Sequence, residues 1–319
     1  MRTNKTNKLG VVYLSYVPYG TYCFEQFIMS YIKFEANFEH ELIILFKGFD
    51  HISELSTFNK ILYKNNIKVR AINVNIGLDI DSYSFAANCL NYKYLVFFNS
   101  NSVILYDKWL SKMYEAIIKP NVGVVGCTAG WGAFGRDTGV LKRNIGRLFS
   151  KLSDKNNPTI NQDSFGKSIN TRHGFFQKLL MYIARKINFS ESTMAHIRTN
   201  AFMIKRELFI SLAYNNPTPQ ILFKFLTKDQ EIKFKTICFE HGKNSMTNQL
   251  LRKGYLVLVV DKNGKTYEKK DWRDSNTFWY GNQENLLISD NQTRHYELAS
   301  ITEKVARSYS AWGDGTNYI

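Results

Sequence analysis

The sequence predicts an α/β fold, a mainly parallel sheet with helices on both faces. Two observations carry this. From Leu9 to Val125, compact apolar runs rich in β-branched and aromatic residues alternate with segments whose apolar positions recur at helical spacing, the pattern of successive βαβ units. The residues that follow the first four strand runs are polar or glycine-bearing, at Ser15 to Gly20, Phe46 to Gly48, Ile76 to Ser82 and Asn99 to Ser102. Open sheets of this kind bind ligands beyond the carboxyl ends of their strands.

The elements follow in order. Leu9 to Val17 is the first strand, stopped by Pro18 and Gly20. Cys23 to Phe34 is a helix with Phe24, Phe27, Ile28, Tyr31 and Ile32 on one face. Glu41 to Phe46 is a buried strand closed by Lys47-Gly48. Ser53 is placed to cap a helix carrying Leu55, Phe58, Ile61 and Leu62. A strand over Lys68 to Ile76, a helix over Asp79 to Asn91 and a strand over Tyr94 to Phe98 come next. Asp107 is the candidate cap of a helix over Trp109 to Ile118, and Val122 to Val125 returns to strand.

Composition narrows the class. With 319 residues, 44% hydrophobic, 22% charged and five prolines, the chain can bury a large core, and wholesale disorder is excluded. Four scattered cysteines (Cys23, Cys89, Cys127 and Cys238) without a CxxC pair argue against a zinc knuckle or a disulfide framework. Met1 to Gly10 lacks the apolar core of a signal peptide. No apolar run reaches the roughly 18 residues of a spanning helix, so a cytoplasmic protein is expected. The net charge of +15 favours an anionic partner: a nucleotide, a phosphate-bearing lipid, a membrane surface or nucleic acid.

After Gly130 the rhythm breaks into a Gly-, Asn-, Ser- and Lys-rich stretch to about Ser192. Within it, 175–187 reads as a basic amphipathic helix, with Lys178, Arg185 and Lys186 outside its apolar face. Such a helix can lie on an anionic membrane or pack on its own domain. Order resumes near Ala195, where His196, Arg198, Thr199 and Asn200 precede the apolar Ala201 to Ile204. With no internal repeat and no proline-rich linker, 1–319 reads as one domain. Its parts are residues 9–130, a variable loop and helix insertion (131–192) and a catalytic second half (193–319).

Four features together resemble the nucleotide-sugar glycosyltransferases of the GT-A (Rossmann-like) fold, family 2 in particular. They are the strand ending in Ser15-Tyr16-Val17-Pro18; Asn75-Ile76-Gly77 leading into a helix with Ala86, Ala87 and Asn88; the polar end of YLVFFNSNS; and Glu240 ahead of a helix ending in Arg252-Lys253-Gly254. The segments TNAFM, FWYGNQENLL and DNQTR are similar to rhamnosyltransferase-like bacterial and viral members. The resemblance covers about Leu9 to Arg294.

It implies an inverting transfer of a sugar, rhamnose among the candidates, from a nucleoside-diphosphate donor to a glycan or lipid-linked acceptor in surface polysaccharide synthesis, at the cytoplasmic side of a membrane. Glu240 takes the place of the general base that deprotonates the acceptor hydroxyl, with His241 as the rival base. Ser15 and Tyr16 would meet the nucleotide base. Asp79 or Asp81 would hold ribose, and Ser82 with the helix-start amides would make polar contacts; ordinary helix capping competes for all three. Asn99-Ser100-Asn101 stands where the family carries its Asp-X-Asp metal motif. Neutral amides are weaker ligands for Mg or Mn and supply no charge, so Asn99 and Asn101 would hydrogen-bond sugar hydroxyls or phosphate. Metal independence is expected, with Mg or Mn as the alternative, and Lys47 or Arg294 would stabilise the leaving diphosphate. His196, Arg198, Thr199, Asn200, Trp279 and Asn291 are candidates for donor sugar or acceptor.

Two rivals remain. A basic nucleic-acid-binding protein fits the charge, yet the basic residues are dispersed and no recognition motif is present; no nucleic-acid partner is expected. A nucleotidyltransferase would carry a glycine-rich phosphate loop after the first strand, and LSYVPYGTY is a poor match.

Overall fold

The computed structural model describes residues 9–49, 52–132, 187–189, 194–212 and 227–313. The region 131–192 and the basic segment 175–187 therefore fall almost entirely outside the described residues.

The described chain builds one eight-stranded, mainly parallel sheet flanked by helices. Its first half is β1 (Leu9–Tyr16), α1 (Gly20–Lys33), β2 (His40–Lys47), α2 (Ile52–Lys64), β3 (Arg70–Val74), α3 (Asp79–Cys89), β4 (Tyr94–Phe98), the short β5 (Val103–Ile104), α4 (Trp109–Ile117), β6 (Val122–Gly126) and the short β7 (Ala129–Gly130). Its second half is β8 (His196–Ile197), β9 (Ala201–Lys205), α5 (Arg206–Ser211), α6 (Lys228–His241), α7 (Met246–Arg252), β10 (Leu256–Val260), β11 (Thr266–Tyr267), β12 (Ile288–Ser289), α8 (Asn291–Glu297) and α9 (Ile301–Trp312). The spatial order is β11-β10-β6-β9-β4-β1-β2-β3. Strands from the two halves of the sequence thus interleave.

Period-two burial sorts β1 between two apolar layers. Val11 and Tyr13 join Phe24, Phe27 and Ile28 of α1, Phe58 and Leu62 of α2 and Trp109, Leu110 and Met113 of α4. Val12 and Leu14 join Ile80, Tyr83 and Ala86 of α3, Phe209 of α5, Phe239 of α6, Met246 and Leu250 of α7 and Trp312 of α9. Ile32, expected on the buried face of α1, is 45% exposed. The face that meets the sheet carries Phe24, Phe27, Ile28 and Tyr31, and Ile32 lies outside it.

The caps differ from expectation. Ser53 lies inside α2 rather than before it. Lys108, in the left-handed region, precedes α4 without a side-chain cap, while Asp107 Oδ1 accepts from the backbone N–H of Glu35 at 2.8 Å. Asp107 therefore ties the end of α1 to the start of α4.

Topology gathers one polar edge. β1, β2, β3 and β4 are mutually parallel and end together. β9 runs antiparallel to β4 with Ala201 opposite Phe98, so the residues leading into β9 stand beside those leaving β4. β6 is antiparallel to β9, with Gly126 opposite Phe202, and it brings Cys127 and Thr128 to the same edge.

Candidate active site

The seam between β4 and β9 is tied by backbone. Asn99 N–H donates to Asn200 O at 3.0 Å, and Ser102 Oγ donates to the same carbonyl at 2.7 Å. On the β9 side of this seam lies a carboxylate cluster. Thr199 gives its hydroxyl to Glu240 Oε1. Arg198 Nη2 meets Asp290 Oδ2 at 2.7 Å, with side-chain exposures of 15% and 0%. The guanidinium also lies 4.1 Å from the Phe278 ring centroid, an attractive placement for a cation. Thr128 Oγ1 donates to Asn200 Oδ1 at 2.8 Å.

Glu240 sits in the last turn of α6, held there by Phe234, Cys238 and Phe239 packing inward. The apolar Ile237-Cys238-Phe239 that leads to Glu240 is part of this helix. The capping box of Thr227 with Gln230 starts this helix far upstream. Burial pushes the Glu240 carboxyl up, opposed by the Thr199 hydrogen bond and the Arg198 charge. Asp79, half-buried at the start of α3, is pushed up to about 7 by burial and by the charges of Glu240 and Asp81, against its bond from the Ile80 N–H. The Tyr83 hydroxyl, buried and without a hydrogen-bond partner among the described residues, is raised by burial and by the charges of Asp79 and Glu240. Asp79, Tyr83 and Glu240 thus act on one another electrostatically.

His241 Nε2 is 3.8 Å from Glu240 Oε2, and its ring meets His196 edge to face at 4.1 Å. Burial, then the Arg198 charge, lowers His241 to about 4. Burial likewise drives His196 well below its usual value, although its Nδ1 bonds the Met194 carbonyl at 3.0 Å. Both imidazoles are neutral at physiological pH.

Across the seam is the β4 exit. Asn99 Oδ1 accepts from Asn101 N–H and from Ser102 Oγ, both at 3.0 Å. Asn101 Oδ1 faces Cys23 Sγ at 3.6 Å, and Asn101 O accepts from Arg294 Nη1 at 3.0 Å. A divalent cation needs several carboxylate or free carbonyl oxygens. Here the amide oxygens are engaged and the group drawn to the Asn101 carbonyl is a guanidinium, so the 99–101 donor set does not fit such an ion. Among the described residues no cluster of three His, Cys, Asp or Glu forms a metal site.

The remaining predicted positions divide. Lys47 spends its ammonium on the carbonyls of Ile76, at 2.6 Å, and Gly77. Burial lowers it, with Asp81 and Asp79 pulling the other way, so it fastens the loop between β3 and α3. Asp81 Oδ2 accepts from Leu78 N–H at 2.8 Å, and Ser82 Oγ, fully buried, donates to Leu78 O at 2.9 Å. Asp81 does the capping work that the sequence left as an alternative, while Ser82 back-bonds to the carbonyl one turn earlier. Ser15 is buried at the end of β1, and half-buried Tyr16 beside it meets Tyr19 edge to face at 5.3 Å. Trp279 stacks on Phe278 at 4.6 Å and gives its indole N–H to Gln292 O at 3.2 Å; it braces the wall behind Arg198. Asn291 begins α8, whose N-cap is Asp290. The sequence marks Asp290 only as part of the hydrogen-bonding run 290–294 that could close over the donor, and it gives no sign of Thr128, Cys23 or Tyr83 as site residues. Asp290 carried a readable cap signal, while the other three reach the site only through strand order and helix packing.

A scan against protein-family models finds no match, and a search of curated proteins finds none. Among solved structures the chain is similar to mannosyltransferase PcManGT from Pyrobaculum calidifontis in complex with GDP-Man and Mn2+, with 10% identity, TM-score 0.38 and coverage of 66% of this chain and 48% of that one. It is similar to S. aureus TarS in complex with UDP-GlcNAc, with 20% identity, TM-score 0.29 and coverage of 37% and 33%. A third is glucosyl-3-phosphoglycerate synthase from Mycobacterium tuberculosis with Mn2+, UDP and phosphoglyceric acid, with 13% identity, TM-score 0.33 and coverage of 70% and 66%. This chain spans less than two thirds of the length of each. At such scores the likeness assigns neither activity nor substrate.

Proposed function

We propose that this chain is an inverting glycosyltransferase of the GT-A type, moving a sugar from a nucleoside-diphosphate donor to an acceptor hydroxyl. The observation that carries the reading is the pairing of a raised carboxylate with a guanidinium on the two sides of one strand seam. Glu240 is fixed by Thr199 next to β9, and Arg294 is fixed on Asn101 after β4. Asn99 and Asn200 join the two sides directly.

This arrangement suits a displacement. The acceptor hydroxyl attacks the anomeric carbon, the bond from that carbon to the diphosphate oxygen breaks, and the hydroxyl proton passes to Glu240. A carboxyl raised by burial is a stronger base than an exposed one and remains ionised above its own pKa. The departing diphosphate gathers negative charge on the Arg294 side. A guanidinium carries five N–H donors, and one held by Nη1 on the Asn101 carbonyl and on Ser289 Oγ at 3.3 Å is aimed before reaction begins. Asp79 and Tyr16 are assigned to the nucleoside. His241, neutral and in contact with Glu240, is assigned to the acceptor side.

The donor is a nucleotide sugar, with rhamnose the first sugar to assay, and the acceptor is a glycan or lipid-linked oligosaccharide. Among the described residues no helix is long and apolar enough to cross a membrane. The net charge of +15 supports a peripheral position on an anionic leaflet, where each Lys or Arg near the surface is worth about 1 kcal/mol. A panel of UDP-, GDP- and dTDP-sugars, assayed for nucleotide release with and without acceptor, tests the activity. Release from none of them, together with salt-sensitive RNA binding, would replace this reading with a nucleic-acid function.

A further inference from the structure

Two consecutive residues hold two acids. Thr199 bonds Glu240, and Arg198 bonds Asp290. Among the described residues, Asp290 is the ion-pair partner of Arg198, although the Arg198 charge also acts on Glu240. The guanidinium is confined from three sides: by Asp290 Oδ2 at 2.7 Å, by Thr128 Oγ1 at 3.4 Å and by the face of Phe278 at 4.1 Å. Asp290 is itself immobilised. It is 0% exposed, and its Oδ1 accepts the Thr293 N–H at 2.8 Å as the N-cap of α8. A carboxylate paired with arginine is a poor base, because the cation stabilises the form that must accept the proton.

We propose that Asp290 is a positioning residue for Glu240: by retaining the Arg198 guanidinium it keeps that cation from pairing with Glu240 and leaves the carboxylate able to take the acceptor proton. The proposal rests on Glu240 being the base. It assigns to the C-terminal segment a role in the chemistry that no contact with substrate would reveal.

The other groups around Glu240 are accounted for. From α3 come Asp79 and the Tyr83 hydroxyl, and on α6 itself His241, which touches His196 of β8. On α7, Arg252 is turned to Lys243 O and Asn244 Oδ1. Among the described residues Arg198 is thus the cation whose charge acts on Glu240, and restraining it sets how basic Glu240 is.

The test follows the ionisation of Glu240 directly, by a 13C carboxyl NMR titration of the full chain, with the resonance assigned by its loss in Glu240→Gln. Asp290→Asn keeps a capping oxygen and removes the charge. Its Glu240 midpoint should fall by roughly one pH unit as Arg198 swings over. Arg198→Gln should raise the midpoint by roughly one unit, and Arg198→Lys should leave it near wild type because the charge stays. These opposite shifts are what a purely structural role would not produce. An unmoved midpoint in Asp290→Asn, or movement in the same direction as Arg198→Gln, overturns the proposal. Should Asp290→Asn not fold, Asp290→Ser, which also keeps a capping oxygen without the charge, takes its place under the same two outcomes. The acid limb of kcat is measured in parallel. If the NMR midpoints move as expected and the limb does not follow them, the coupling stands and the assignment of Glu240 as base fails.

Discussion

Glu240 occupies the end of α6, where the helix presents unsatisfied carbonyls and disfavours negative charge. Burial raises the carboxyl, and Thr199 and Arg198 restrain it. Replacing Glu240 by Gln keeps the shape and removes the proton acceptor. Turnover should fall by roughly 10²-fold or more with nucleotide affinity almost unchanged, and near wild-type kcat in a folded variant would end the assignment. Asp79 yields a second expectation, on stability. Its folded pKa, about 7, lies above the ordinary 3.8, so between those values the folded state keeps a proton that the unfolded chain has lost. Stability contributed by that proton is complete below about pH 4 and drains away as pH rises through 7. Asp79→Asn should therefore melt with wild type near pH 4 and roughly 3–6 °C above it at pH 8. A difference that is constant across pH would show that Asp79 titrates normally.

At the scale of elements, the loop between β3 and α3 shows how tightly a local device can be specified. Gly77 has φ +45, and a Cβ there would stand 2.0 Å from Asp81 Oδ2, the oxygen that caps Leu78. Lys47 from β2 closes over the same carbonyls. Gly77→Ala should cost about 1–3 kcal/mol from backbone strain and the displaced cap, read as a lower denaturation midpoint, and should weaken nucleotide binding if Asp79 serves the nucleoside. An unchanged midpoint would mean that the loop tolerates another conformation. This loop was legible from sequence as Asn75-Ile76-Gly77 before a helix, because turn chemistry is local. The βαβ rhythm was legible for the same reason, since each strand and helix declares its own period. The position of β9 was not. Nothing in Ala201–Lys205 says that it runs antiparallel between β4 and β6, and only that insertion sets Arg198, Thr199 and Asn200 beside the exit of β4. The quartet could be recognised as polar, and its partners Asp290 and Thr128 could not, because pairing across 92 and 70 positions depends on packing.

The whole molecule carries a net charge of +15 and presents the Arg294 guanidinium at one sheet edge, where the proposed reading puts the diphosphate. Two consequences can be measured together. A nucleoside diphosphate that binds the folded state alone stabilises it by about 2.7 kcal/mol at a hundred times its Kd, so the correct nucleotide among UDP, GDP and dTDP should raise Tm clearly above the other two. Because Arg294 rather than a bridging ion meets the phosphates in the proposed reading, that shift should survive thorough chelation with EDTA. It should shrink with added salt as screening shortens the reach of the basic surface, and be largely lost in Arg294→Gln. A shift that vanishes with EDTA and returns with manganese would assign the diphosphate to a metal held by residues other than Asn99 and Asn101. A shift that is indifferent to both chelation and Arg294 would move the diphosphate away from the β4 exit altogether.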